Sequence, residues 1–240
     1  MITEKRYNTG SAEINYAETD SNGPPLVLLH GTANRWQAFQ SIIPELSARW
    51  KVYAPDFRGH GRSQHTNEYG FGYYLDDTVS FLKGVVKKPA VLFGHSLGGR
   101  VATKIASEYP ETVKAIILGD SSLNEPVASD RMGKSFMGLV KIIEENRTFQ
   151  NIYMALEKAN PEEFDPTYGL SRAKNLSLLD TRLLTTIAEN GMNLNAPGNH
   201  SYMYHPDEYL KKIKCPVLLL QAEHGMLSDA EVKKAKDTLP

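Results

Sequence analysis

Five short apolar runs, each cut off by a breaker, set the strongest limit on how this chain can fold. They are residues 26–29, 52–54, 90–93, 115–118 and 217–220, each bounded by Pro, Gly, Asp or His. Each is too short for a typical helix and is apolar on both faces, the pattern of strands buried in a parallel sheet. Ahead of them, residues 5–9 and 12–17 alternate more loosely and are expected to form an antiparallel edge.

Helical patterns fill the gaps. Ile42 and Leu46 sit four apart in a segment ending at Arg49. Leu75, Val79, Leu82 and Val86 form one stripe, with Asp76 and Asp77 expected in its first turn, where acidic groups suit the helix dipole. Leu97, Val101 and Ile105 form another, stopped by Pro110. This alternation predicts an α/β fold with a doubly wound, mostly parallel sheet. The stretch from about Ser122 to Lys212 differs. It carries the stripe Phe136, Leu139, Val140 and Ile143, then Leu178, Leu179, Leu183, Leu184 and Ile187, with Asn190-Gly191 as the expected stop. No strand-like run interrupts it. The expected organisation is a core of residues 1–121 and 213–240, with a helical cap of residues 122–212 inserted between two strands.

At 240 residues, with 41 % apolar and 23 % charged side chains, the chain can bury a full core. Lys plus Arg, 27, nearly balance Asp plus Glu, 28. No charge excess therefore favours nucleic acid or anionic membrane as a partner. No apolar run approaches the ~20 residues of a membrane span, and the first residues lack the apolar stretch of a signal peptide. Cys215 is the single cysteine, which excludes an intrachain disulfide and a thiol cluster for metal. A cytoplasmic protein is expected, and its oligomeric state is not readable.

The chemistry concentrates in Gly94-His95-Ser96-Leu97-Gly98-Gly99, after the run at 90–93 and before the helix starting near Leu97. A serine on a sharp strand-to-helix turn has a strained backbone and needs small neighbours, here Gly94 and Gly98. Its hydroxyl stands above the carboxyl edge of the sheet, beside a helix N-terminus that favours negative charge. Ser96 is therefore the expected nucleophile; the plainer alternative is a packing turn with an idle serine. A second turn, Leu28-Leu29-His30-Gly31-Thr32, also follows a strand. Acyl transfer needs two N–H donors for the developing oxyanion. The N–H groups of Leu97 and Thr32 are the candidates.

The chain resembles the α/β-hydrolase superfamily, in the branch with a helical cap after the sixth strand. The resemblance rests on the His30-Gly31 loop, Pro55-Asp56-Phe57-Arg58-Gly59-His60-Gly61-Arg62-Ser63, the serine elbow and Cys215-Pro216-Val217-Leu218-Leu219-Leu220, in that order over nearly the whole chain. Within the Asp56 to Ser63 run, Arg58 and His60 are expected to stabilise a tight turn rather than to catalyse.

The resemblance also implies a histidine base oriented by a carboxylate, in chain order Ser, Asp or Glu, His. The acid usually follows the seventh strand, where this chain has Gly225. Asp120, after the sixth strand, is the expected acid, with Glu223 and Asp229 as weaker alternatives and a backbone-capping role as the plain reading of Asp120. The base usually follows an eighth strand. That strand and its histidine are not in the sequence. His30 and His95 belong to the active-site turns, His60 and His65 to the turn region, and His200 and His205 to the cap. His224 is at the right sheet edge, but two strand steps of ~4.8 Å separate it from Ser96. A C-terminal truncation is expected, leaving residues 217–220 as an uncovered apolar edge strand. This exact chain should be nearly inactive and its full-length parent an enzyme.

Among the aromatic side chains, Trp36 in the oxyanion loop is the best candidate for a substrate-binding pocket wall. Met and aromatic residues of the cap are expected to supply the rest, although most would simply pack it onto the core. Without a basic cluster, the expected substrate is a small to medium ester, lactone or amide of neutral or weakly polar character. The rival reading is a hydrolase-like small-molecule binding protein or receptor with little turnover. No metal, nucleotide or organic cofactor is indicated.

Overall fold

The computed structural model describes residues 1–124, 130–162, 164–189, 206–223, 225 and 227–239, with backbone alone at 130–132. Seven strands form one sheet: β1 (Ile2–Asn8), β2 (Glu13–Thr19), β3 (Pro25–Leu29), β4 (Lys51–Pro55), β5 (Ala90–His95), β6 (Val113–Gly119) and β7 (Val217–Leu220). Their order is β1-β2-β4-β3-β5-β6-β7. β1 and β2 are antiparallel to their neighbours, and every pairing from β4 to β7 is parallel. All five apolar runs lie inside β3 to β7.

Alternation along the strands sorts the core into two layers. Val27, Leu29, Tyr53, Leu92, Ile116 and Leu118 pack with the helices α2 (Phe71–Phe81) and α3 (Leu97–Glu108). Leu26, Leu28, Val52, Ala54 and Val91 pack with the 3₁₀ turn Trp36–Phe39 and the short helix α1 (Ile43–Leu46). α1 buries Ile43 and leaves Ile42 exposed, because only one turn forms. α2 begins five residues before Asp76, so Asp76 and Asp77 sit mid-helix and not in its first turn. Asp77 instead accepts two hydrogen bonds from the buried Arg58, at 2.7 Å from Nε and 2.8 Å from Nη2.

Between β6 and β7 run α4 (Asp130–Asn146), α5 (Phe149–Ala159), α6 (Pro166–Leu176), α7 (Thr181–Glu189) and α8 (Pro206–Leu210). α4 to α7 share their own apolar cluster, including Leu139, Ile143, Ile152, Leu176 and Leu183. α8 behaves differently: Tyr209 and Leu210 join the core cluster that contains Val101 and Ile105 of α3. Asn190-Gly191 lies outside the described residues. The cap cluster also takes in Tyr69 and Ala33 from core loops. Tyr69 Oη donates to Asp180 at 2.6 Å, and Asp180 N–H to the Gly59 carbonyl at 2.9 Å. The last helix, α9 (Asp229–Thr238), carries a capping box in which Ser228 and Glu231 bond each other's backbone N–H. Among the described residues no helix is long and apolar enough to cross a membrane.

Candidate active site

Ser96 is the one residue between β5 and α3, with φ 50° and ψ −112°. Left-handed φ is costly for any residue bearing a Cβ, on the order of 1–3 kcal/mol. The crossing of β5, α3 and β3 is tight enough to hold it there. A Cβ on Gly94 would run into the backbone of Gly98, and one on Gly98 into the Leu29 carbonyl. Ser96 N–H donates to the Gly119 carbonyl at 3.3 Å, while its own carbonyl accepts from Gly99 and Arg100 in the first turn of α3. Among the described residues, none hydrogen-bonds to Ser96 Oγ.

The loop after β3 approaches the same point. Gly31 lies against His95 and the Cβ of Ser96. Its carbonyl accepts from Asn34 N–H at 3.2 Å, and Ala33 takes φ 60° to close this turn. Neither Thr32 nor Leu97 donates its N–H to an acceptor among the described residues, which leaves both free for a ligand oxygen.

Trp36 does not serve as expected. Its side chain is 6 % exposed and packs among Leu26, Leu28, Phe39 and Ile43 on one face of the sheet, so it is core rather than pocket wall. Its backbone carries the useful contact: Trp36 N–H donates to Asp56 Oδ1 at 2.6 Å. Asp56 Oδ2 accepts from Arg62 N–H at 3.1 Å and Asn15 Nδ2 at 2.9 Å. Burial pushes the Asp56 carboxyl above the usual range despite these three donors.

Asp120 follows β6 as Ser96 follows β5. Its N–H donates to the Leu220 carbonyl at 2.9 Å, and its Oδ1 accepts from Leu227 N–H at 3.1 Å. The seventh-strand turn closes directly on it, since a Cβ on Gly225 would collide with the carboxylate. Of the weaker acid candidates, Glu223 is exposed and Asp229 accepts from Gln221 Nε2 at 3.0 Å.

Four histidines are described, and hydrogen bonds engage His30, His60 and His65. His30 is buried; its Nε2 accepts from Phe57 N–H at 3.0 Å, so Nδ1 carries the proton and donates to the Gly31 carbonyl at 2.8 Å. Burial drives its pKa well below 6.5. His60 is also buried, pairs Nδ1 with the Arg58 carbonyl at 3.0 Å, and is pushed down to about 4 by burial. His65 sits near Asp180 at 3.6 Å. His95 is depressed by burial, which the negative charge of Asp120 opposes. His200, His205 and His224 lie outside the described residues.

Two contributors escaped the sequence. Glu231 reaches back from α9 to accept from Ser122 Oγ at 2.6 Å and Leu123 N–H at 2.9 Å, fixing the chain just past Asp120. Burial raises its pKa, but its hydrogen bonds from Ser122, Ser228 and Leu123 together outweigh that and hold it low. The Ser228-x-x-Glu231 spacing signals the cap, not the long-range bond. Asn175 of α6 touches the loop after β3 and had no local signal.

The sequence pattern of the alpha/beta hydrolase fold matches residues 24–235. The chain belongs to the alpha/beta hydrolase fold family. This alpha/beta hydrolase is 36 % identical to a serine hydrolase-like protein of Danio rerio over 104 residues, 42 % of this chain and 32 % of that one. It is 32 % identical to a 2-(acetamidomethylene)succinate hydrolase of Mesorhizobium japonicum over 117 residues, 48 % of this chain and 42 % of the relative. The matches thus span less than half the length of these curated relatives. A crystal structure of E-2-(acetamidomethylene)succinate hydrolase has a TM-score of 0.76 at 21 % identity, covering 100 % of this chain and 89 % of that one, a likeness of fold. Among the described residues of this alpha/beta hydrolase, no three His, Cys, Asp or Glu side chains gather as metal ligands would.

Proposed function

We propose that the protein is a serine hydrolase that cleaves a small to medium ester, lactone or amide through an acyl-enzyme. The observation that carries this reading is Ser96 itself, held at φ 50° on a strand-to-helix turn, with the Thr32 and Leu97 N–H groups meeting no acceptor among the described residues. In this reading a histidine base takes the Ser96 proton and Oγ attacks the substrate carbonyl. The N–H groups of Thr32 and Leu97 receive the oxyanion. Collapse expels the alcohol or amine, protonated by the same histidine, and water then releases the acid. Asp120 holds the imidazolium. The relatives named as hydrolases support the chemistry, and the lack of a basic cluster in the sequence supports a substrate of low charge.

The base is proposed to come from a further strand paired with β7. The outer edge of β7 has no strand partner among the described residues. Beside it runs a groove of about 530 Å³ lined by Val217, Leu219, Val232, Ala235 and Leu239 together with Gln221 and Lys236. An open apolar edge of this kind is what an additional strand would close. Residues 1–240 alone should then keep only ~10³ over water from the oxyanion donors and binding.

A fluorophosphonate probe applied to the full-length protein tests the reading. Labelling should map to Ser96, and hydrolysis of p-nitrophenyl acetate should vanish in Ser96→Ala. Hydrolysis that survives this substitution rejects Ser96 as the nucleophile.

A further inference from the structure

We infer that Asn175, on cap helix α6, is a positioning residue that holds the oxyanion loop in register with Ser96. The inference rests on the serine hydrolase reading and adds to it a physical link from the cap to the oxyanion donor.

Asn175 is 5 % exposed and lies between Ala173 and Leu176, both fully buried in the cap cluster. An apolar side chain would fill such a site, and a buried amide is costly unless both its ends are bonded. Both ends of Asn175 are bonded to the same loop. Its Oδ1 accepts from Arg35 Nε at 2.8 Å, and its Nδ2 donates to Asn34 Oδ1 at 3.0 Å. The orientation is forced: Arg35 Nε can only donate, so the atom facing it is the oxygen and the amide nitrogen turns to Asn34.

The loop so gripped is the one that carries Thr32. Its far side is tied to the core through Trp36 N–H on Asp56. Its near side turns on the Gly31 carbonyl, which holds Asn34 N–H. Between these anchors, Ala33 sits in the left-handed region with its methyl against the cap cluster. That conformation is unfavourable for alanine alone and persists only where its surroundings hold it. Asn175 supplies two of the bonds that do so, from an element 140 residues away in sequence. A donor displaced by a fraction of an ångström stabilises the oxyanion less while leaving ground-state binding alone. The cap therefore sets the loop geometry.

The test uses the full-length protein with p-nitrophenyl acetate, amide hydrogen exchange and five variants. Asn175→Ala should lower kcat about 10-fold or more with KM within about threefold, because losing a whole oxyanion donor costs ~10²–10³. Exchange at residues 32–36 should quicken. Asn34→Ala, which leaves the cap core untouched, should lower kcat in the same way, and the double variant should be no worse than the poorer single one. Asn175→Asp should retain most activity, since its carboxylate still accepts from Arg35 and from a flipped Asn34 amide. Wild-type kcat in Asn175→Ala, additive losses in the double variant, or unchanged loop exchange would each overturn the clamp while the nucleophile assignment stands. Turnover that survives Ser96→Ala would remove the nucleophile assignment and this inference together, whatever the exchange data show.

Discussion

Ser96 and Asp120 leave adjacent parallel strands one residue past their ends, both in left-handed conformation, at φ 50° and 43°. This pairing carries the carboxylate to the edge from which Oγ rises. It also gives a substitution that separates charge from structure. Asn tolerates left-handed φ better than most residues, and its amide oxygen can still accept the Leu227 N–H. Asp120→Asn should therefore stay folded, with its melting temperature within about 3 °C of wild type. In a chain that carries the proposed base, its kcat should fall on the order of 10²–10⁴, as expected when a triad base loses its anionic partner. Steady-state kinetics beside a thermal melt checks both halves; unchanged kcat removes Asp120 from the mechanism.

Asp56 is the hub of the loop after β3, and its removal should be felt as stability first. Asp56→Ala would strand the Trp36 N–H, the Arg62 N–H and the Asn15 amide, all within hydrogen-bonding distance of the carboxylate now. Buried donors without acceptors cost about 1–3 kcal/mol each before relaxation. A loss of about 3 kcal/mol in urea-unfolding free energy is expected, with faster amide exchange at Trp36. A loss under about 1 kcal/mol would mean that solvent reaches these donors.

What the sequence made legible was whatever depends on neighbours in the chain. β3 to β7 emerged because a strand buried on both faces is a short apolar run between breakers, and Ser96 because its turn needs glycines at fixed offsets. The misreadings involve partners far away in sequence. Asp77 looks like a dipole-stabilising residue from its local context, yet its charge answers Arg58 across the loop. Trp36 looks like a pocket aromatic because it follows the oxyanion turn, but the exposed sheet face beside β3 needs covering, and its indole does that. Glu231 and Asn175 act over 108 and 140 residues, on the chain after β6 and on the loop after β3, and no periodicity encodes such reach.

His60 should make stability sensitive to mild acid. Its pKa is about 4 when folded and 6.5 in the unfolded reference. Between those values the unfolded chain binds more protons than the native one, so stability is full above about pH 6.5 and falls as pH drops toward 4. The effect of His60 alone is on the order of 3 kcal/mol by pH 4. His30, depressed in the same direction by burial, adds to the slope. His60→Asn should flatten the dependence by about one proton over this range. Urea midpoints at pH 7.5, 5.5 and 4.5 measure it, and an unaltered slope in the variant would mean that His60 is hydrated in the native state.

The edge strand offers a prediction that separates the 240-residue chain from a longer one. Leu218 and Leu220 are 52 % and 45 % exposed, on the same sheet face as Ile117, while the adjoining edge of β7 has no strand partner among the described residues. Apolar side chains on an open edge favour pairing between molecules. In the 240-residue chain, Leu218→Lys with Leu220→Lys should reduce light scattering and the binding of an apolar dye while leaving the melting temperature nearly unchanged, because little burial is lost. In a chain that supplies a covering strand and helix, the same pair should cost about 3–6 kcal/mol, since each leucine would then lose a burial worth roughly 1.5–3 kcal/mol. Opposite signs in the two chains would show that this face is covered by a further part of the same polypeptide. Equal neutrality in both would mean that solvent is its natural neighbour.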